Sequence, residues 1–314
     1  MRIVALILQK KYDVENIHSA FPFAPYGNNL DKRLTEAGIS LTQLGSGYAV
    51  APGRVLKDDG TPYKVYTPFY RAWSAHGWRK PVAAPKNPNW VMPTKTDKNL
   101  PNWHKSEGLQ LQSAGEVAAL NRFKEFMKRA ADDYGDARNI PGIEGTSRMS
   151  PHLRWGEIHP RTILAALGQK KGHEVYRKEI AWREFYADVL HNNPHTSREY
   201  YDAKFKKMRY EKPGKKFTAW CEGKTGYPFV DAAMRQLFNP IEQGRRFDPE
   251  GKYIKRYIPE LAHLTGDDIH EPWSVIGGLD NGYPEPIVDH AKERLDSLAR
   301  LEEIKAAKPM KPGA

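Results

Sequence analysis

Glu179-Ile180-Ala181-Trp182-Arg183-Glu184-Phe185-Tyr186, followed downstream by Lys224-Thr225-Gly226-Tyr227-Pro228-Phe229-Val230-Asp231-Ala232-Ala233-Met234-Arg235-Gln236-Leu237, decides how this chain is read. Glu179, Trp182 and Tyr186 are spaced i, i+3, i+7, so a helix carries them on one face with Phe185 and Val189 nearby. A carboxylate beside an indole can hydrogen-bond and stack on a flat heterocycle. The same spacing also fits a core in which Trp182 and Phe185 pack inward and Glu179 is a surface charge.

Around this stretch, 314 residues suffice to bury a substantial core and fit one large domain or two smaller ones. The 49 Lys and Arg against 38 Asp and Glu leave a formal charge of +11 and a pI near 9.4, which favours a polyanionic partner because phosphates attract such a surface whatever the base sequence. A hydrophobic content of 39%, with 8 Trp, 16 Tyr and 11 Phe, supports a globular fold and argues against a disordered basic tail. Cys221 is the single cysteine, so an internal disulfide and a multi-cysteine zinc site are excluded, and the reducing cytoplasm is the expected location. The apolar run Ile3 to Leu8 is short, leads into Lys10-Lys11 and lacks a small-residue cleavage pattern, so no signal peptide is expected. No run approaches the ~20 apolar residues of a membrane helix, and no membrane partner is expected.

Along the chain, the N-terminal stretch combines a turn-like Pro25-Tyr26-Gly27-Asn28-Asn29, a helix around Leu30 to Ala37 and a strand-like Ile39 to Leu44, a fragment of an α/β layer. Gly45-Ser46-Gly47 lacks the third glycine of a dinucleotide fingerprint and reads as a plain turn. Pro52 to about Leu111 is rich in Pro, Lys, Asn and Trp and reads as a linker with one helix over Tyr66 to His76. Beyond it the pattern is helical. Ser113 and Glu116 have capping-box spacing, and Pro151, Pro160 and Pro228 sit where a first-turn proline is tolerated. Asp248-Pro249 repeats that device before Tyr253 and Ile254. The expected fold is mainly α with a truncated α/β N-terminal remnant, divided as 1–55 remnant, 56–112 interdomain linker and 113–314 helical domain.

Two further stretches bear on chemistry. Thr146-Ser147-Arg148-Met149-Ser150 places hydroxyls and an arginine before a proline-started helix, a cradle for a phosphate at the positive end of the helix dipole, although an N-cap alone accounts for Ser150 equally well. Lys204-Phe205-Lys206-Lys207-Met208-Arg209-Tyr210 interleaves cations and rings, which suits a nucleic-acid backbone or simply a solvated face. His191 and His195 have metal-like spacing, but Pro194 breaks the helix that would present them, and no metal site is expected. Cys221 has no base beside it in sequence and reads as an ordinary thiol.

Tyr134 with Arg138, Thr146 to Ser150, Glu179 to Tyr186, Lys224 to Leu237, Phe238 to Ile258 and Ile269-His270-Glu271-Pro272-Trp273, taken in order, resemble the photolyase/cryptochrome family, in particular the class I cyclobutane pyrimidine dimer photolyases. Asp59 to Trp73 is similar to that family's linker. The resemblance implies a helical FAD-binding domain, blue-light electron transfer from reduced flavin to a pyrimidine dimer, and DNA containing such dimers as partner. It assigns Glu179 and Trp182 as the catalytic residues that contact the dimer. It assigns Tyr134, Thr146, Ser147, Arg148, Met149, Ser150, Tyr176 and Arg183 to FAD. Arg138, Glu179, Trp182, Tyr186, Lys204, Lys206 and Lys207 are the expected DNA-contacting residues.

Relative to the family pattern, the chain starts inside the N-terminal α/β domain, and Leu237 runs directly into Phe238-Asn239-Pro240, where the family interposes further flavin-pocket helices. The expectations are therefore reduced FAD affinity, weak or no repair, no folate or deazaflavin antenna, and self-association through the edge of the truncated sheet. The rival functions are a non-catalytic basic DNA-binding relic and a cryptochrome-like flavoprotein.

Overall fold

In the computed structural model, which describes residues 15–88, 112–236 and 248–306, the chain is mainly helical with one small parallel sheet. Strand β1 (Ile17–Ser19) pairs with β2 (Leu41–Gln43) in the register Ile17–Leu41, His18–Thr42, Ser19–Gln43, and α1 (Pro25–Thr35) is the crossover that a parallel pair requires. Then come α2 (Tyr66–His76), α3 (Glu116–Arg129), α4 (Tyr134–Ala137), α5 (Ser150–Trp155), α6 (Pro160–Ala166) and α7 (Lys171–Asn192). After the 3₁₀ turns Pro194–Ser197 and Ala203–Lys207 follow α8 (Lys215–Cys221), α9 (Pro228–Gln236), α10 (Lys252–Tyr257) and α11 (His290–Ala306). Among the described residues no helix is long and apolar enough to cross a membrane.

Contacts divide the chain into two units, Met1–Asp132 with Ser147–Asn192 and Asp133–Thr146 with Asn193–Ala314. Residues on both sides of positions 55 and 112 share the first.

In the first unit α2 packs on α7. Tyr66, Phe69 and Trp73 recur at i, i+3, i+7 on α2, so one face of that helix meets its neighbour. Phe69 and Trp73 are fully buried, and Phe69 lies 5.2 Å from Phe185, ring centroid to centroid. Burial of such side chains stabilises by about 1.5–3 kcal/mol each. Helix α7 also needs Gly172 near its start, since a Cβ there would run into the carbonyl oxygens of Ala131 and Asp132. In the second unit Phe229 and Ala232 of α9 pack with Tyr253 and Ile254 of α10 and with Ile258, Leu261 and Ile269.

Several local expectations are corrected. Pro25 to Asn29 is the first part of α1, not a turn, because proline is free of cost at a helix start and the helix is anchored by buried Leu34. The Ser113–Glu116 capping box does not form. Gly115 is the cap of α3, and its N–H donates to the Glu157 carboxylate at 2.8 Å instead. Ser150 is the first residue of α5 and not its cap, which is Met149. Pro249 lies ahead of α10, while the Asp248 carboxylate accepts from the N–H groups of Tyr253 at 2.9 Å and Ile254 at 3.0 Å, the work of a cap done from four residues upstream. Helix α2 has the Tyr66 to His76 bounds that its sequence pattern implies.

Candidate functional site

Helix α7 has two unlike sides. Tyr176, Ile180, Ala181, Glu184, Phe185 and Asp188 are buried, whereas Glu179, Trp182 and Arg183 are half-buried and Tyr186 is 64% exposed. The face anticipated from the i, i+3, i+7 spacing is therefore real for Glu179, Trp182 and Tyr186, and Phe185 belongs to the core. The Trp182 ring stacks on Tyr66 at 3.6 Å with 6° between planes, and on Tyr186 at 5.6 Å with 24°. Arg183 donates from Nη2 to the Gly47 carbonyl at 3.2 Å, and its guanidinium lies 4.6 Å over the Tyr48 ring. Its Nη1 is buried without a hydrogen-bond partner among the described residues.

The buried side carries two carboxylates that motif reading had not singled out. Glu184 accepts from the N–H groups of Ala49 and Val50 and from Trp73 Nε1 at 2.7 Å, so it fastens the 49–50 backbone and α2 to α7. Asp188 accepts from Gly53 N–H at 2.7 Å. Burial pushes both carboxyl groups above the usual carboxylate range, and the donated hydrogen bonds pull in the opposite direction. The signal in the sequence is the i, i+4 placement of Glu184 and Asp188 on the stripe that also holds Ile180, an acid where an apolar residue is expected.

The 146–150 loop alternates. Ser147 and Met149 are buried, while Thr146, Arg148 and Ser150 are exposed. Ser147 Oγ accepts from Tyr176 Oη at 2.8 Å and from Met149 N–H at 3.3 Å, and its carbonyl accepts from Arg122 Nε at 3.2 Å. Tyr176 thus holds the loop from below. Arg148 has φ 54, the sole positive φ outside glycine among the described residues. That left-handed residue stands between exposed Thr146 and exposed Ser150, and such conformations concentrate at functional sites. Arg148 also borders a cavity of about 650 Å³ lined with Asn121, Arg122, Glu125 and His152.

In the second unit Tyr134 is buried and the Arg138 guanidinium lies 5.8 Å from its ring centroid. Lys204 pairs with Asp202 at 2.9 Å, and Lys206 pairs with Glu199. Arg209 makes a two-pronged bond with Glu303 at 2.8 and 3.1 Å. Lys207 is exposed. The basic stretch is therefore partly neutralised locally, through surface ion pairs of the weak kind that exchange readily for phosphates. Its rings stack too, with Tyr200 and Tyr210 centroids 6.5 Å apart and 3° between planes. Among the described residues no group of three or more His, Cys, Asp and Glu could hold a metal ion.

Comparison with known proteins gives a consistent result. The family profile described as "FAD binding domain of DNA photolyase" matches residues 176–239 and 237–303, and that of "DNA photolyase" matches residues 3–88. The deoxyribodipyrimidine photo-lyase of Alkalihalophilus pseudofirmus is 29% identical over 350 aligned positions, covering 85% of this chain and 73% of the relative. That of Streptomyces griseus is 30% identical, covering 78% of this chain and 69% of the relative. A bacterial class III photolyase from Agrobacterium tumefaciens superposes with a TM-score of 0.82 at 26% identity, covering 98% of this chain and 83% of that one. The first profile matches in two pieces that meet at 237–239, and the first alignment is longer than the 314 residues of the chain. The relatives therefore carry positions that this chain skips.

Proposed function

The chain belongs to the DNA photolyase family, and from that premise we propose that the exposed side of α7 receives a pyrimidine dimer in DNA. Its function is photolyase-like. The observation that carries the dimer reading is the composition of that side: a carboxylate, an indole and a phenol set on a rigid helix whose opposite side is locked into the core. Glu179 would hydrogen-bond the dimer, and Trp182 would stack on it with Tyr186 at the rim. Extrusion of a damaged, poorly stacked base costs less than that of a normal one. Arg138, Lys204, Lys206 and Lys207 would contact the phosphate backbone.

FAD fits the residues present. The buried Nη1 of Arg183 lacks a hydrogen-bond partner among the described residues, and the left-handed Arg148 is exposed together with Thr146 and Ser150. The exposed residues would meet the phosphates; Ser147, Met149 and Tyr176 would hold the loop, with Tyr134 and Arg183 as further contacts. When bound, the flavin would supply the light-driven electron; the chain's own groups bind, orient and exclude water.

The junction at Leu237–Phe238, which lies outside the described residues, is read as the place where family flavin-pocket helices are skipped. The profile pieces meeting at 237–239 support this. Reduced FAD affinity and weak repair are proposed on that basis; the lack of a folate or deazaflavin antenna is a separate proposal, and the single cysteine supports a cytoplasmic location. Purified protein titrated with FAD is expected to show weak, substoichiometric binding. A structured flavin band at full occupancy, with dimer repair under blue light at the rate of an intact relative, would refute the loss of the pocket. Self-association through the β1–β2 edge is a further expectation, checked by sedimentation.

The second reading is a basic DNA-binding protein without repair. It is favoured by the +11 charge and the exposed Lys207. It predicts that affinity for undamaged DNA falls by about 10³-fold or more between 50 and 200 mM salt if roughly six phosphates are contacted. A shallow salt slope with strong dimer preference would exclude it.

A further inference from the structure

The linker-like stretch supplies a residue to the α7 site that motif reading had not assigned. Tyr66 is the first residue of α2, and its ring lies flat against Trp182 at 3.6 Å with 6° between planes. Its hydroxyl donates to the Lys178 carbonyl of α7 at 2.8 Å, so the ring is fixed at its tip as well as by the backbone of a helix start. Phe69 and Trp73, one and two turns further on, tie the same face of α2 to Phe185 and Glu184. Tyr66 is thus held at three levels, and it is half-buried where Trp182 is half-buried.

An indole has two faces on which a flat heterocycle can stack. Tyr66 occupies one of them at contact distance, and its anchored hydroxyl prevents the ring from rotating away. The Tyr70 ring neighbours it at 5.9 Å with 23° between planes. The other Trp182 side is the looser one, where Tyr186 lies at 5.6 Å and 24° and is itself largely exposed. Burial first, then Tyr70 and Glu179, hold the Tyr66 phenol well above its ordinary value, so it keeps the proton it gives to Lys178.

We propose that Tyr66 is a positioning residue that fixes the plane of Trp182 and leaves it a single open face for an extruded pyrimidine dimer, an inference that rests on the dimer-binding role of Trp182. A pre-set stacking platform binds more tightly because no indole rotamer freedom has to be lost on binding. The residue acts through Trp182 and does not itself touch the dimer.

The test is dark binding of a single-stranded oligonucleotide containing one thymine dimer, against the same oligonucleotide undamaged. Tyr66→Leu is expected to lose about tenfold in dimer affinity, equal to about 1.4 kcal/mol, while undamaged affinity stays within about twofold. Tyr66→Phe, which keeps the ring and loses the anchor, is expected to retain most of the preference. If Tyr66→Leu does not fold by circular dichroism, Tyr66→Met is the replacement, with the same expectation. Unchanged dimer preference in the Leu or Met variant overturns the positioning role, whereas an equal loss in Tyr66→Phe assigns that role to the hydroxyl anchor. Trp182→Ala separates the two levels. If it abolishes the preference while Tyr66→Leu does not, the positioning role alone falls. If it leaves the preference intact, or the unaltered protein shows none, the dimer-binding reading falls and the inference with it.

Discussion

Glu184→Ala is expected to lower the unfolding free energy of the first unit by about 4 kcal/mol, read as a shift of its urea transition. Three N–H donors, from Ala49, Val50 and Trp73, converge on this carboxylate, which is 2% exposed. Each buried donor left without an acceptor costs about 1–3 kcal/mol, and the vacated space adds to it. Glu184→Gln retains one acceptor oxygen but turns an amide N–H₂ toward backbone donors, and about half the loss is expected. The pH dependence follows from burial, which raises the folded-state value above that of the unfolded chain. The folded state then holds more protons in the window between the two values. The favourable contribution is full below the ordinary glutamate range and is lost as pH rises through the raised folded value. Glu184→Gln has no proton to exchange, so that component of the slope disappears. Identical pH slopes in the two proteins would show that Glu184 does not titrate in this way. Because the 49–50 backbone, α2 and α7 all meet at this carboxylate, the Trp182 side of α7 is expected to fail with it.

The second unit has a comparable centre at Asp231, and Asp231→Ala is expected to cost about 3 kcal/mol there. The carboxylate, fully buried, accepts from Thr225 N–H at 2.7 Å, Thr225 Oγ1 at 2.6 Å, Gly226 N–H at 3.0 Å and the Tyr283 hydroxyl. Those four donors fold the turn ahead of α9. Tyr283→Phe removes a single donor and is expected to cost about 1 kcal/mol. A loss as large as that of Asp231→Ala would place the stability in the Tyr283 ring packing and not in the carboxylate. The same turn requires glycine at 226, with φ +79, where a Cβ would overlap the Glu285 and Pro286 backbone. Thr225 also accepts from Ile287 N–H at 2.8 Å, so the Lys224 to Leu237 stretch is tied to residues well beyond the junction at 237. Helix α9 therefore has a structural reason to persist whatever stands after Leu237.

Much of the α7 site was legible because its determinants are local. A 3.6-residue period puts Glu179, Trp182 and Tyr186 on one side wherever the helix forms, and the structure has them there. The α2 bounds and the first-turn prolines of α5, α6 and α9 were readable for the same reason. Caps were read less well. Ser113 and Ser150 had the right residue types, yet a glycine and a methionine occupy the cap positions of those helices. A cap is a geometry of the backbone entering the helix, and residue type alone does not set that entry angle. The basic stretch illustrates a different shortfall: Arg209 is held by Glu303, some ninety residues on, so a run that reads as free charge is partly paired.

The order of motifs along the chain, the spacing of residues on α7, the excess of positive charge and the direct run from Leu237 into Phe238 are properties of the covalent sequence, and they were enough to identify the family and to single out the helix face proposed to meet the dimer. Which side of Trp182 is open, which hydroxyls of the 146–150 loop turn outward, and which two acids are buried depend on partners far away in sequence. Tyr66 reaches Lys178 across 112 residues, and Ala49 reaches Glu184 across 135. Those pairings are chosen by packing, since a buried carboxylate or an anchored ring is favourable only after several segments have arrived together, and no local period encodes that arrival.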